Sequence, residues 1–271
     1  MADDKGRGKS DDKGKGGIAA CKVLASAIGT SQGGVYAALQ GALNTAVASE
    51  TSGLTLNMWA TLVNRDGVVC AVAFSGANRN SQWPGSRVIS AQKANTANAF
   101  SLDTLSLSTA NLYSAVQPGG SLFGLQDSNP VDTSVAYKGP VTNFGKKNDP
   151  MVGERPGGVN VFGGGLAVYS ADHKLVGAVG VSGDTSCADH AIAWRVRNNL
   201  KLDNLAGVGG VGPDSDHGDS IVFDIDTGAS AGGFGHPLCI NSDNLSAPGA
   251  PVAATNASST TYAATLPSSN H

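Results

Sequence analysis

Apolar residues in this chain switch between two periods, and the switches mark its elements. Leu54 to Val63 and Val68 to Phe74 are apolar runs separated by Asn64-Arg65-Asp66-Gly67, whose Asp-Gly pair is a strong hairpin-turn signal. Leu166 to Ser170 and Leu175 to Gly180 repeat the arrangement around Ala171-Asp172-His173-Lys174. Elsewhere the period lengthens to that of a helix. Val35, Leu39, Ala42, Leu43, Ala46 and Val47 share one face of a helix over 35–48. Ile89, Lys93, Thr96 and Phe100 form a stripe on a helix over 87–100, with Ser86 in position to cap it. Ala188, Ile192, Val196 and Leu200 recur every four residues on a third, after the turn Val181-Ser182-Gly183-Asp184. Asp184, Thr185 and Ser186 each offer an oxygen to that helix start, where unpaired N–H groups favour an anion. Each half of the chain thus reads strand, turn, strand and helix. The expectation is an α/β fold in which both hairpins, over 54–74 and 163–181, join one antiparallel sheet with the helices packed on it.

The remaining segments carry weaker signals. Residues 1–17 alternate Lys or Arg, Asp and Gly with almost no apolar side chain, which predicts a disordered charged tail. Ile18 to Ile28 fits strand or helix equally. Residues 127–160 are rich in Asn, Asp, Pro and Gly, and a loop this long inside a compact domain is usually a binding element. Ile221 to Asp226 reads as a strand, and Gly232 to Pro237 as a tight turn before Cys239. Residues 246–271 are a Ser/Ala/Thr/Pro-rich tail, disordered or draped along a partner, which leaves 18–245 as one domain with an extension.

Composition narrows the function classes. Hydrophobic residues make up 41% of the chain, enough for a core, while charged residues make up 14% against the ~25% usual in soluble domains. A net charge of −3 gives nucleic acid no electrostatic footprint. No run approaches the ~20 apolar residues that cross a bilayer. The first 17 residues lack the apolar core of a signal peptide, although the low charge and abundant small residues suit a secreted or periplasmic protein. Four cysteines, at 21, 70, 187 and 239, allow three pairings and none has zinc-type CxxC spacing. Cys187–Cys239 is the favoured disulfide, and four buried thiols are the alternative.

Two stretches carry a family resemblance. Gly163-Gly164-Gly165-Leu166 opens a strand, Val176-Gly177-Ala178-Val179-Gly180-Val181-Ser182-Gly183 follows, and Ala188-Asp189 begins a helix. Upstream, Ile89-Ser90-Ala91-Gln92-Lys93-Ala94-Asn95-Thr96-Ala97 is similar to a Ser-x-x-Lys-Ala-x-Thr-Ala helix. Together they resemble the haem-binding GlcG/HbpS family, which includes the C-terminal domain of PduO-type corrinoid proteins. The resemblance covers about 31–200 and implies a profilin-like domain, assembly into homo-oligomers, and haem in a groove that the assembly helps form. His190 stands where most members carry a glutamate.

The candidate site follows from these positions. Gly183, Asp184, Thr185 and Ser186 would receive the haem propionates at the helix start, and Lys93 would pair with a ligand carboxylate unless its ammonium simply reaches solvent. His190 would ligate haem iron or act as a general acid or base, the plainer alternative being a structural histidine at the helix start. Haem binding, for sensing, storage or scavenging, is the leading expectation. The alternatives are an enzyme acting on a small organic acid, an aromatic compound or haem through His190, and a structural assembly subunit. Of the other histidines, 173, 217 and 271 read as solvated, and His236 as structural. The cluster Asp214-Ser215-Asp216-His217-Gly218-Asp219 lacks EF-hand spacing and reads as a solvated acidic turn. Gly-x-Ser-x-Gly is missing, and Gly163 to Gly165 precede a strand rather than opening a helix, so neither a hydrolase elbow nor a dinucleotide loop is indicated.

Overall fold

The computed structural model describes residues 20–212, 218–225 and 228–240. Both tails and positions 214–217 of the acidic cluster lie outside the described residues. In chain order the elements are α1 (Lys22–Ile28), α2 (Val35–Ser49), β1 (Trp59–Asn64), β2 (Val69–Phe74), α3 (Ser86–Ala99), the single turns α4 (Leu125–Ser128) and α5 (Thr133–Ala136), β3 (Gly165–Tyr169), β4 (Leu175–Ser182) and α6 (Ser186–Asn199). The four strands form one antiparallel sheet in the order β2-β1-β4-β3, so the two hairpins meet at β1 and β4. The first hairpin closes through Gly67, and Asn64 Oδ1 accepts from both Asp66 N and Val68 N. The central pairing runs from Trp59 opposite Ser182 to Asn64 opposite Gly177.

Helices cover both faces of the sheet, which is why its strands are almost wholly buried rather than alternating. On one face Ala60, Leu62, Val179 and Val181 pack with Leu39 and Leu43 of α2 and with Ile192, Trp194 and Val196 of α6. On the other, Trp59, Val63 and Ala178 meet Ala91, Ala94 and Ala97 of α3. The small residues let α3 lie very close to the strands: a Cβ at Gly180 would come within 2.0 Å of Ser90 O, and one at Gly165 within 2.4 Å of Lys93 O. Gly165 thus serves the close chain approach expected of the glycine run. Both sheet edges are covered by backbone. Val69 N donates to Glu154 O at 2.9 Å beside β2, and Tyr169 N donates to Leu202 O at 2.8 Å beside β3.

Three expectations are corrected here, and the favoured Cys187–Cys239 disulfide is present. Ser86 is the first residue of α3 and does not cap it. Residues 221–225 make no strand; Ile221 and Phe223 are buried in the core that α2 and α6 share. Asp219 is no solvated acid, since it is fully buried against Arg197, with contacts of 2.6 and 2.9 Å. All four cysteines are oxidised. Cys187–Cys239 is a disulfide with a Cα separation of 6.0 Å, and Cys21–Cys70 is a second, tying α1 to β2. Among the described residues no helix is long and apolar enough to cross a membrane.

Candidate functional site

The start of α6 gathers most of the residues singled out in the sequence, and it is closed. Lys93 comes from α3 because its stripe faces the sheet, and its Nζ lies 2.6 Å from Asp189 Oδ2 and 3.1 Å from Val181 O. The Phe162 ring sits 4.6 Å from the ammonium. Both partners are buried. Burial pushes the lysine below its usual range and raises the Asp189 carboxyl to about 6, against their mutual attraction. Lys93 therefore neither reaches solvent nor faces a groove, because the chain supplies its carboxylate.

The donors of the helix start are similarly committed. Asp189 Oδ1 accepts from Asp184 N at 2.8 Å. Thr185 is the cap, its Oγ1 accepting from Ala188 N at 3.3 Å. The Asp184 carboxylate accepts from Leu54 N, Leu56 N and Thr185 N at 2.8, 3.0 and 2.6 Å. Gly183 O accepts from Gln82 Nε2 at 2.7 Å. Cys187 N points at Cys239 Sγ, 3.2 Å away, with Ser186 Oγ 3.4 Å from the same sulfur. Groups of the chain itself thus take up the N–H donors of Asp184, Thr185, Cys187 and Ala188.

His190 is fully buried, and neither ring nitrogen meets a hydrogen-bond partner among the described residues. Burial holds its imidazole down at about 3, so it is neutral at ordinary pH. Trp194 lies beside it, with ring centroids 6.2 Å apart. An imidazole with no open face does not line a concave site. The structure places His190 in the interior, away from the groove described below. His236 is buried, its Nδ1 sits 2.7 Å from Pro237 O, and the Tyr113 ring is 5.0 Å away.

An open site lies elsewhere, at the outer end of the first hairpin. It is a groove of about 770 Å³, within the usual range for small-molecule pockets. Trp59 and Phe74 stack at 4.2 Å with planes 17° apart and form one wall with Tyr36. Tyr137, Val141 and Phe144, from the long 127–160 segment, form the other. That segment is pinned by a buried ion pair between Arg87 and Asp149, and Arg87 also donates to Ala136 O at 2.7 Å and lies 3.6 Å over the Phe144 ring. Gly145 brings the two walls together. Its φ is +72°, and an added Cβ would fall 2.7 Å from Phe74 Cβ and 2.8 Å from the Trp59 ring. Arg79 and Lys146 are exposed at the rim, and no histidine, cysteine or carboxylate is among the lining residues. The indole Nε1 of Trp59 is buried without an acceptor among the described residues.

A model of the HbpS-like haem degrading protein family matches residues 36–197. The chain belongs to this family. Among solved structures it is similar to Klebsiella pneumoniae protein ORFY, at 24% identity and a TM-score of 0.41, over 61% of this chain and 89% of that one. It is also similar to the PduOC–haem complex, at 22% identity and a TM-score of 0.41, over 60% of this chain and 89% of that one. No curated protein matches it. The HbpS-like segment spans α2 to α6 with all four strands. Each disulfide joins a cysteine inside that segment, Cys70 or Cys187, to one outside it, Cys21 or Cys239. The groove lies within the HbpS-like segment, yet none of its lining residues stood out in the sequence. The one usable signal was the long 127–160 loop, whose Tyr137, Phe144 and Lys146 line it.

Proposed function

We propose that this HbpS-like protein binds haem, in a capture or storage role, through the aromatic groove. Family membership sets a haem-related function. The observation that supports this location is the pairing of stacked aromatic walls with a cationic rim. A flat, largely apolar macrocycle bearing two carboxylates matches both: Trp59, Phe74 and Phe144 against its faces, Arg79 and Lys146 with its propionates. Tyr137, exposed in the wall, is the oxygen donor available to ferric iron, a ligand type that haem proteins use. When bound, haem would supply redox and oxygen chemistry, while the lining residues supply binding and orientation. With no imidazole or carboxylate in the lining, the groove's charged groups are the cations Arg79 and Lys146, which suit holding a dianionic ligand.

A second reading is breakdown of the bound haem, favoured by the description of the family. Two disulfides fit an oxidising compartment, and export is part of the proposal. Titration of the full chain with hemin tests it. One equivalent should produce a Soret band, and Tyr137→Phe should shift that band while leaving the far-ultraviolet circular dichroism unchanged. A flat titration, or a band indifferent to Tyr137 and to the rim, would overturn the groove assignment. Release of iron from the complex under reductant and oxygen would favour breakdown.

A further inference from the structure

A second cluster, at the head of α6, is separate from the groove. Cys187 occupies the first turn of that helix, and His236 and Cys239 approach it from the 236–239 segment. We propose that reduction of the Cys187–Cys239 disulfide converts these three residues into a binding site for a thiophilic divalent cation, of which Zn²⁺ is the type.

The geometry is already close to what such a site needs. The two sulfurs and a ring nitrogen of His236 lie within 4.8 Å of one another. A tetrahedral centre with Zn–S near 2.3 Å and Zn–N near 2.0 Å requires its ligand atoms about 3.5–3.8 Å apart. The bonded sulfurs need only separate to ordinary non-bonded contact, which cleavage of the bond itself brings about. Local donors prepare the thiolates. Cys187 N points at Cys239 Sγ from 3.2 Å, and Ser186 Oγ lies 3.4 Å from it, so the positive end of the α6 dipole would face a negative sulfur. His236 is 1% exposed, so its ring is held in place beside the two sulfurs. Three protein ligands leave a fourth position for water. The spacing His236-Pro-Leu-Cys239 puts two ligands on one short segment.

The chemistry balances with an external dithiol as reductant. Its thiolate attacks Cys239 Sγ, the half-buried member of the pair, and Cys187 leaves as a thiolate that takes up a proton. The second thiol of the reductant then displaces Cys239 and closes its own disulfide. The protein gains two electrons and two protons. Binding of the dication releases the two thiol protons again.

Co²⁺, which reports thiolate ligation and coordination number in its absorption spectrum, is the probe. The full chain reduced by a dithiol should bind one Co²⁺, with a thiolate-to-metal charge-transfer band and the strong visible bands of a four-coordinate site. The oxidised chain should show neither. His236→Ala should weaken the reduced-state affinity at least about tenfold. Because that variant could lose its fold, alkylation mapping of the unaltered chain stands beside it. Zn²⁺ should protect Cys187 and Cys239 from alkylation and leave Cys21 and Cys70 reactive. Equal reactivity of all four with Zn²⁺ present, a spectrum identical in oxidised and reduced chains, or a band untouched by His236→Ala would overturn the site.

Discussion

The head of α6 and the groove beside β2 are built from opposite materials. The first concentrates ionisable groups, Lys93, Asp189, Asp184 and His190, inside the protein, and all but the histidine are spent on partners within the chain. The second has few ionisable groups, but it is open, walled by aromatic rings and rimmed by two cations. Chemistry-bearing residues that satisfy one another hold a fold together. Residues left facing a cavity without partners are the ones available to a ligand. By that distinction the α6 head fixes how α3, the sheet and α6 fit together, and the groove carries the haem reading.

The largest effect should come from breaking the α6 head. Lys93→Met strands a buried Asp189 carboxylate and should lower unfolding stability by about 3–5 kcal/mol at neutral pH, read from a denaturant midpoint. Adding Asp189→Leu should recover much of that loss, since an apolar pair of similar volume is well tolerated. A single variant within about 1 kcal/mol of the unaltered chain would mean that the pair is not what ties α3 to α6.

His190 sharpens the same contrast through pH. Its folded value, about 3, lies below the unfolded value of 6.5, so between them the unfolded chain takes up a proton that the folded chain refuses. The stability this provides is complete above pH 6.5 and is lost as pH falls toward 3, amounting to about 2–3 kcal/mol by pH 4.5. His190→Leu should remove that share of the acid sensitivity. Its stability relative to the unaltered chain should therefore rise as the buffer is made more acid. Parallel stability curves for the two proteins from pH 7 to pH 4.5 would show that the imidazole is solvated after all.

Much of the fold was legible in the sequence. Apolar runs around Asp66-Gly67 and around residues 171–174 can satisfy their backbone only as hairpins, and the helical stripes around Leu39, Ala94 and Ile192 had one face each to bury. Residues 221–225 form no strand although Ile221 and Phe223 are buried, because an apolar alternation reports burial in the core and not strand pairing. At the site, the sequence offered Lys93 solvent or a ligand carboxylate, and the structure gives it Asp189 of the chain. Its partner is 96 residues away, and no local pattern reports that a lysine will find a carboxylate there. The groove was illegible for a related reason. Tyr36, Trp59, Phe74, Arg79, Tyr137 and Lys146 come from distant segments with no shared spacing, and only the sheet and the Arg87–Asp149 pin bring them to one place.

The contrast between the two regions is tested most directly by hemin affinity in two variants measured side by side. Arg79→Glu combined with Lys146→Glu reverses the rim and should weaken binding at least about tenfold, whereas His190→Leu should leave both affinity and Soret position unchanged. Loss of the Soret band in His190→Leu, with the charge-reversed rim binding as before, would return the haem to the α6 head and contradict the account.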